Sequence, residues 1–342
     1  MKRSKLKKMV ALTAGFAAVC ALMAGCSSSG GSSNDSAGDS ESQETASTKK
    51  DGETEKGTYT IGFTNRLASD VFLKTLEDKF VDACEADGRF EVVLADANND
   101  SQKQVEQVDN FLVMDVDALV LCPNDQESLV PQIEKANQSG IPVFTFSTQA
   151  SGGDQVYVGV SNYDCGYCQG EWLHENLPEN AKIIYLAGNM GYQISIDREN
   201  GLKDGLGDRL VENGGDVEII AQQEYMYTRE EGMTIMEDYI QAYDEFDCVV
   251  TVNDQGACGA IEALKAANRL DGVMVCGIDA IDDALNYISG GEMSMTVRQD
   301  PDAQAEALYQ AICDTFDGKE VEAVIETPVQ TITSDNVSEF IK

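Results

Sequence analysis

Short apolar runs and longer amphipathic stretches alternate along the chain from residue 58 onward. The short runs are rich in Val, Ile, Leu and Phe and predict buried strands, whereas apolar residues spaced by three or four predict helices. Regular alternation of this kind favours a parallel sheet. In the first half the predicted strands are 59–64, 90–94, 118–122, 142–146 and 155–160, with helices at 70–84, 102–113 and 129–137.

The alternation then starts again in the second half of the chain. No Pro- or Gly-rich linker separates the halves, so we expect two closely associated α/β lobes. The predicted helices are 169–177, 198–211, 230–242, 257–267, 282–289 and 301–316. The predicted strands are 182–186, 217–221, 249–252, 273–278 and 293–297, followed by late strands at 323–327 and 329–332.

Polar residues stand where two neighbouring strands of the second half end. The run 249–252 stops at Asn253 and Asp254, and the run 273–278 ends at Asp279. Ligands of open α/β sheets bind just beyond these carboxyl ends. We therefore expect Asn253 and Asp279 to face a small polar ligand, while Asp254 also suits a turn or a helix cap.

The amino-terminal segment has the three parts of a secretory signal. Five basic residues precede an apolar stretch of about 15 residues, which is shorter than the roughly 20 needed to span a membrane. The sequence Leu-Met-Ala-Gly-Cys that ends at Cys26 resembles the lipobox of bacterial lipoproteins. This resemblance implies a signal peptide at 1–25, a lipidated Cys26 and anchoring to the outer face of the cell membrane. The alternative is an ordinary cleaved signal with an incidental cysteine.

Residues 26–57 are predicted to form a disordered tether between this anchor and the folded part. The segment contains Ser, Gly, Asp, Glu, Thr and Lys but no large apolar residue, so it cannot bury a core. A flexible coil of this length spans roughly 30 Å.

Charge and composition exclude several classes of function. The formal charge of −36 disfavours binding to nucleic acid or to anionic lipid through surface charge. The only histidine, His174, would have to serve any Ser–His or Cys–His nucleophile pair, and neither a Gly-x-Ser-x-Gly elbow nor a Gly-rich phosphate loop occurs. We therefore expect no enzymatic activity and no cofactor.

The cysteines favour packing rather than metal binding. Ten are present, and Cys165 and Cys168 form the only CxxC pair. Zinc requires four ligands at suitable spacing, and neither a second pair nor a neighbouring histidine exists. We expect no metal site, and we interpret most of these cysteines as small apolar core residues.

An ordered set of short motifs carries a family resemblance over about residues 58–342. The chain resembles the type I periplasmic binding proteins of the ribose and galactose group, the solute receptors of ABC sugar importers. The motifs are Thr60-Ile61-Gly62-Phe63, Phe72, 92–96, Cys122-Pro123, 141–144, Asn253-Asp254 with Gly259-Ala260, 277–279 and 296–299.

The resemblance implies two Rossmann-like lobes with parallel sheets around a ligand cleft, joined by a hinge of three crossovers. The first lobe would comprise 58–160 and 300–327, and the second 161–299 and 328–342. It further implies a monomer that hands its ligand to ABC permease subunits. The implied cleft residues are Arg66, Asp70, Phe72, Ser147, Thr148, Arg198 or Asn200, Tyr227, Asn253, Asp279 and Gln299.

These residue types suit a sugar-like ligand. Asp, Asn, Arg and Gln can satisfy hydroxyl groups that both donate and accept hydrogen bonds. The aromatic rings of Phe72 and Tyr227 can pack against the apolar face of a sugar ring. An alternative use of the same fold is a sensor that presents its bound solute to a membrane histidine kinase or a chemoreceptor.

Two positions depart from the family pattern. Ser147-Thr148 stands where the ribose-type proteins usually carry an Asp-Arg pair, and Arg66 occupies a position that is usually small and polar. Either the guanidinium has moved from one wall of the cleft to another, where it would pair with Asp70, or the ligand carries an acidic or other additional group. The sequence leaves both open. Residues 96–100 also lack the glycine and late glutamate of a calcium loop.

Overall fold

The computed structural model describes residues 58–341. The predicted signal peptide, the tether and Cys26 lie outside these residues. Within 58–341, no helix is both long and apolar enough to cross a membrane.

The first half of the described chain alternates strands with helices. Strands β3 and β4 are fully buried, the edge strand β2 is largely half-buried or exposed, and each helix turns one apolar face toward the sheet. The elements are β1 (Tyr59–Asn65), α1 (Val71–Asp87), β2 (Phe90–Asp96), α2 (Ser101–Val113), β3 (Ala118–Leu121), α3 (Val130–Gln138), β4 (Val143–Phe146) and β5 (Val156–Gly159).

The second half repeats this alternation and adds three late elements. Three 3₁₀ turns also occur, at Gly207–Arg209, Val211–Asn213 and Val337–Glu339. The regular elements are α4 (Asn162–Asn176), β6 (Lys182–Gly188), α5 (Gln193–Leu206), β7 (Glu218–Tyr225), α6 (Arg229–Ala242), β8 (Cys248–Thr251), α7 (Asp254–Ala266), β9 (Met274–Asp279), α8 (Asp282–Ser289), β10 (Met295–Gln299), α9 (Pro301–Phe316), β11 (Val324–Glu326) and β12 (Val329–Thr333).

The strands form two six-stranded sheets, which confirms the predicted α/β class. The first has the order β11-β5-β4-β3-β1-β2 with all strands parallel, and the second has the order β12-β10-β9-β8-β6-β7. Only β12 runs antiparallel to its neighbour in the second sheet. The chain changes sheets three times, after β5, after β10 and between β11 and β12. Separate apolar clusters cover the two faces of each sheet.

Helices α4 and α5 begin earlier than the sequence pattern predicts. Helix α4 starts seven residues before the predicted position, because Ser161 caps it by accepting a hydrogen bond from the Asp164 amide. Glycines let the two helices pack closely, since a Cβ added at Gly166 would lie 2.0 Å from the Arg198 carbonyl oxygen. Gly201 makes an equally close approach to the Tyr163 carbonyl. The glycines concealed the helical pattern because they interrupt the apolar stripe.

Candidate ligand-binding site

A single cavity lies where the carboxyl ends of the two sheets face one another. Nine of the eleven residues predicted for the site line it, together with Leu73 and Ile194. We call it the central cavity, and its complete lining is Arg66, Asp70, Phe72, Leu73, Ser147, Ile194, Arg198, Tyr227, Asn253, Asp279 and Gln299.

Asp279 and Arg198 place a buried carboxyl group and a buried guanidinium on the wall formed by the second sheet. Asp279 ends β9 and accepts a 2.6 Å hydrogen bond from the side-chain amide of Gln299 on the adjacent strand β10. Burial raises the pKa of Asp279 well above its usual range, and the positive charge of Arg198 opposes this shift. Arg198 comes from α5, where its Nη1 donates to the Val252 carbonyl at 2.7 Å and its Nε to Asn162 Oδ1 at 3.0 Å.

Asn253 is held by a hydrogen-bond network that leaves little freedom. Its Oδ1 caps α7 by accepting from the Gly256 amide and also accepts from the Tyr225 hydroxyl. Its Nδ2 donates to the Tyr227 carbonyl at 3.2 Å, which leaves one amide hydrogen for a ligand. Tyr227 is held in turn by a 2.6 Å hydrogen bond between its hydroxyl and Ser195.

Asp254 is fully buried and does not line the central cavity; its carboxyl group instead accepts hydrogen bonds from neighbouring protein groups. It accepts hydrogen bonds from the Thr296 hydroxyl and from the Ile281 amide. These bonds hold the turn that follows Asp279 against β10. Burial raises the pKa of Asp254 to about 7, although these hydrogen bonds favour its charged form. Of the two roles that the sequence allowed for Asp254, the turn role agrees with this position, whereas the helix-cap role belongs to Asn253.

The wall formed by the first sheet is organised differently. Arg66 follows β1, is 9% exposed, and lies with its guanidinium carbon 5.3 Å from the ring centre of Tyr227. Its guanidinium donates no hydrogen bond to any residue in 58–341, so the pairing with Asp70, one of the two alternatives that the sequence left open, is not formed. Asp70 instead caps α1 by accepting from the Leu73 amide at 3.0 Å. Phe72 adds a buried aromatic ring from the first turn of the same helix.

Three lining residues adopt backbone conformations that residues with a side chain rarely use. The φ angles are 64° for Ser147, 64° for Tyr227 and 128° for Asp279. Nine non-glycine residues in 58–341 have positive φ, so a third of them surround this one cavity. Such strain persists only where the surroundings impose it, and it concentrates at functional sites.

The central cavity is narrow, and wider spaces adjoin it on either side. Its volume is about 20 Å³, close to what one water molecule needs, so a sugar can be admitted only if the lobes or side chains move apart. A groove of about 680 Å³ shares Phe72 and Asp279 with it. A second space of about 250 Å³ shares Ile194.

Two predicted residues do not line the central cavity. Asn200 is exposed, because it lies two positions after Arg198 and therefore points to a different side of α5. Thr148 is buried but lines the 250 Å³ space. Sequence reasoning missed Leu73, which follows Phe72 on α1, and Ile194, because the predicted helix began at residue 198 whereas α5 begins at Gln193.

The structure gives the remaining reactive residues no place in the cavity. All eight cysteines in the described chain are free, and Cys165 is buried while Cys168 is partly exposed. His174 lies on α4, where its Nδ1 is 3.0 Å from the Leu206 carbonyl. Residues 58–341 contain no group of three or more His, Cys, Asp or Glu side chains placed to hold a metal ion.

Comparison with known proteins places this geometry among solute receptors. Residues 61–320 match the family described as periplasmic binding protein domain. A putative rhizopine-binding protein of Rhizobium meliloti is 30% identical over 287 residues, covering 82% of this chain and 92% of that protein. The ribose import binding protein of Bacillus subtilis is 28% identical over 286 residues, covering 83% and 90%.

A solved structure supports the same assignment. It is an ABC transporter solute-binding protein from Bacillus halodurans C-125 with bound myo-inositol, and it is 31% identical to this chain. The TM-score is 0.77, and the match covers 84% of this chain and 98% of the other.

Proposed function

This chain belongs to the periplasmic binding protein family, and from that premise we propose that it captures a monosaccharide or a cyclic polyol between its lobes and delivers it to an ABC importer. The observation that carries the proposal is the central cavity. Side chains from both sheets converge there, and they combine carboxylate acceptors with guanidinium and amide donors. A ring bearing several hydroxyl groups needs both kinds of partner.

The domain organisation supports closure of two lobes around the ligand. The proposed first lobe comprises 58–160 and 300–327, and the proposed second comprises 161–299 and 328–342. Because both lobes contribute to the lining, a bound ring contacts both and favours the closed arrangement. The family binds solutes, and the relatives include proteins named for ribose import and structures with bound myo-inositol. We propose binding without chemical conversion, by a monomer that uses no cofactor.

The amino-terminal sequence supports a membrane-anchored receptor. Cleavage before Cys26 and lipidation of its sulfur would hold residues 58–342 outside the cell through the tether at 26–57. Two acyl chains anchor a protein stably where a single chain does not. Labelled fatty acid should enter the wild-type protein and not a Cys26→Ser variant, and equal labelling of both would contradict the anchor.

A thermal-shift screen of the full chain, purified in detergent, tests the ligand class. The panel should contain D-ribose, D-fructose, D-galactose, myo-inositol, xylitol and D-galacturonate. A ligand at a hundred times its dissociation constant adds about 2.7 kcal/mol to the free energy of unfolding, a shift of roughly 5–10 °C at this size. If no member of the panel raises the melting temperature, the proposed function is wrong.

Asp279→Ala identifies the site responsible for any shift. The substitution removes a buried acceptor that no neighbouring group in the described chain replaces, so we expect the ligand-induced shift to disappear. Asn200→Ala, on the exposed side of α5, should retain the full shift. An Asp279→Ala variant with the normal response would place ligand binding elsewhere.

A further inference from the structure

A side pocket adjoins the central cavity on the side where the chain crosses between the sheets. It has a volume of about 250 Å³, and its lining comes from residues 148–149 and 160–163, the first turn of α5 and Glu326. Ile194 lines both spaces, so the two adjoin at this aliphatic side chain. The consecutive residues Ser147 and Thr148 face one space each.

The lining of the side pocket holds a polar atom that the protein does not satisfy. Thr148 is 7% exposed, and its Oγ1 has no hydrogen-bond partner within residues 58–341. A buried hydroxyl without a partner is costly, on the order of 1–3 kcal/mol. Protein atoms enclose this oxygen in the structure, so a group in the side pocket would hydrogen-bond it and recover that cost only when the opening that the central cavity needs to admit a ring also uncovers it.

The larger groove on the opposite side of the central cavity lacks this feature. Most of its charged side chains are already paired within the protein. Lys79 pairs with Asp302, Arg298 with Asp300, and Asp283 with Arg229. The side pocket is therefore the better candidate for an extension of the binding site.

The chemistry of the side pocket favours a hydroxylated ring. Its lining contains the amides of Gln126, Gln149, Asn162 and Gln193 and the carboxyl groups of Asp197 and Glu326 but no Lys or Arg, which disfavours an anionic group. Tyr163 is 39% exposed at the rim and offers an aromatic face for a sugar ring. The volume is near the lower end of the roughly 300–1,000 Å³ typical of small-molecule sites.

We propose that the receptor takes a glycoside, with one ring in the central cavity and a second hydroxylated ring in the side pocket. This inference rests on the proposed function, because it extends the same site. The glycosidic linkage would pass Ile194, and Thr148 would donate or accept a hydrogen bond with the outer ring.

Calorimetric titration of the full chain in detergent tests the proposal with two pairs of probes. The pairs are myo-inositol with galactinol, its galactoside, and D-fructose with sucrose, its glucoside. In at least one pair we expect the two-ring probe to bind more tightly than its single ring. If single rings bind while both two-ring probes fail, the side pocket is not a subsite and the proposed function stands. If none of the four binds, the glycoside proposal fails, and the thermal-shift panel decides the proposed function separately.

Substitutions within the side pocket locate the second ring. Gln193→Trp should fill the pocket and weaken the two-ring probe about tenfold or more, while the single ring changes by less than about twofold. Gln241→Trp, the same change on the exposed end of α6, is the matched control and should alter neither affinity. Thr148→Val should weaken the two-ring probe by about fivefold. Equal losses for both probes in Gln193→Trp would overturn the proposal.

Discussion

The two walls of the central cavity differ in how firmly their polar groups are held. On the second sheet, Arg198, Asn253 and Asp279 each make hydrogen bonds to neighbouring protein groups. On the first sheet, Arg66 is almost as buried as Arg198, yet its guanidinium lies over the ring of Tyr227 and donates no hydrogen bond within residues 58–341. Arg198 and Arg66 are thus similarly buried, but hydrogen bonds to the protein fix only the guanidinium of Arg198.

This difference separates two tasks within one site. A restrained wall presents its groups in a fixed arrangement, so little ordering cost remains to be met when the ligand binds. A less restrained guanidinium can adjust to the ligand and gains its hydrogen bonds only when one is present. We infer that the wall formed by the second sheet binds the hydroxylated ring that the ligands share. Arg66 would then adjust to the substituents that differ from one ligand to another.

Arg198→Met should lower the free energy of unfolding more than the other substitutions do, because it removes hydrogen bonds that hold the wall formed by the second sheet. The substitution keeps an unbranched side chain but leaves the Val252 carbonyl and Asn162 without their donor. Each orphaned buried group costs about 1–3 kcal/mol, so we expect unfolding by denaturant to show a loss of about 2–4 kcal/mol. Ligand-induced stabilisation should vanish as well. A variant as stable as wild type would mean that this wall is not held by Arg198.

Asp254→Asn tests the buried carboxyl behind the same wall. Because the pKa of Asp254 is raised to about 7 in the folded protein, against an ordinary value near 3.8, the folded form binds the proton more tightly. The stability from this group is complete below about pH 4 and is lost as pH rises through about 7.

Removing that carboxyl should therefore flatten the pH dependence between pH 4 and 7. We expect wild type to lose on the order of 3 kcal/mol more than Asp254→Asn over this range, measured by denaturant unfolding at each pH. Asp238→Asn, on the exposed side of α6, is the control and should follow wild type. Identical profiles for Asp254→Asn and wild type would contradict the assignment.

Arg66→Met makes the matched change on the less restrained wall. The guanidinium makes no hydrogen bond to the described protein, so the free energy of unfolding without ligand should change by less than about 1 kcal/mol. Ligand affinity should fall about 10- to 100-fold, because hydrogen bonds from a charged donor contribute about 1.5–3 kcal/mol. A loss of stability equal to that of Arg198→Met would remove the contrast between the walls.

Tyr227→Phe should have the smallest effect and isolates one bond of the network. The substitution removes the hydroxyl that meets Ser195 at 2.6 Å and leaves the ring under Arg66. We expect a loss of about 1 kcal/mol of stability and a modest change in affinity. Tyr167→Phe removes a hydroxyl from a ring that is 38% exposed on α4 and serves as the control. An effect as large as that of Arg198→Met would show that the Tyr227–Ser195 bond supports the whole wall.

The sequence predicts the fold and one wall better than it predicts the other. Strand ends are visible as a change from apolar to polar residues, and this located Asn253 and Asp279, whereas Gln299 came from the family resemblance. Ile194 was missed because the start of α5 carries no strong apolar stripe. The Arg66–Asp70 pair, one of the two alternatives that the sequence left open, does not form, and Asp70 Oδ1 caps α1.

The sequence also could not predict that Ser147 and Thr148 line different spaces. The positive φ of Ser147 turns the chain so that these neighbours face different spaces. Nothing in the residue types predicts that turn, since Ser and Thr both adopt extended backbone readily. Tertiary packing fixes it instead.

The three strained lining residues restrict how this receptor can evolve. At Ser147, Tyr227 and Asp279 the backbone angle disfavours β-branched side chains, so Val, Ile and Thr are poor replacements there. Most substitutions at these positions would destabilise the folded protein, so few of them could persist long enough to be selected for binding a new ligand. Changes of specificity should therefore accumulate at Arg66, Phe72 and Ile194. Directed libraries for new ligands should be diversified there first.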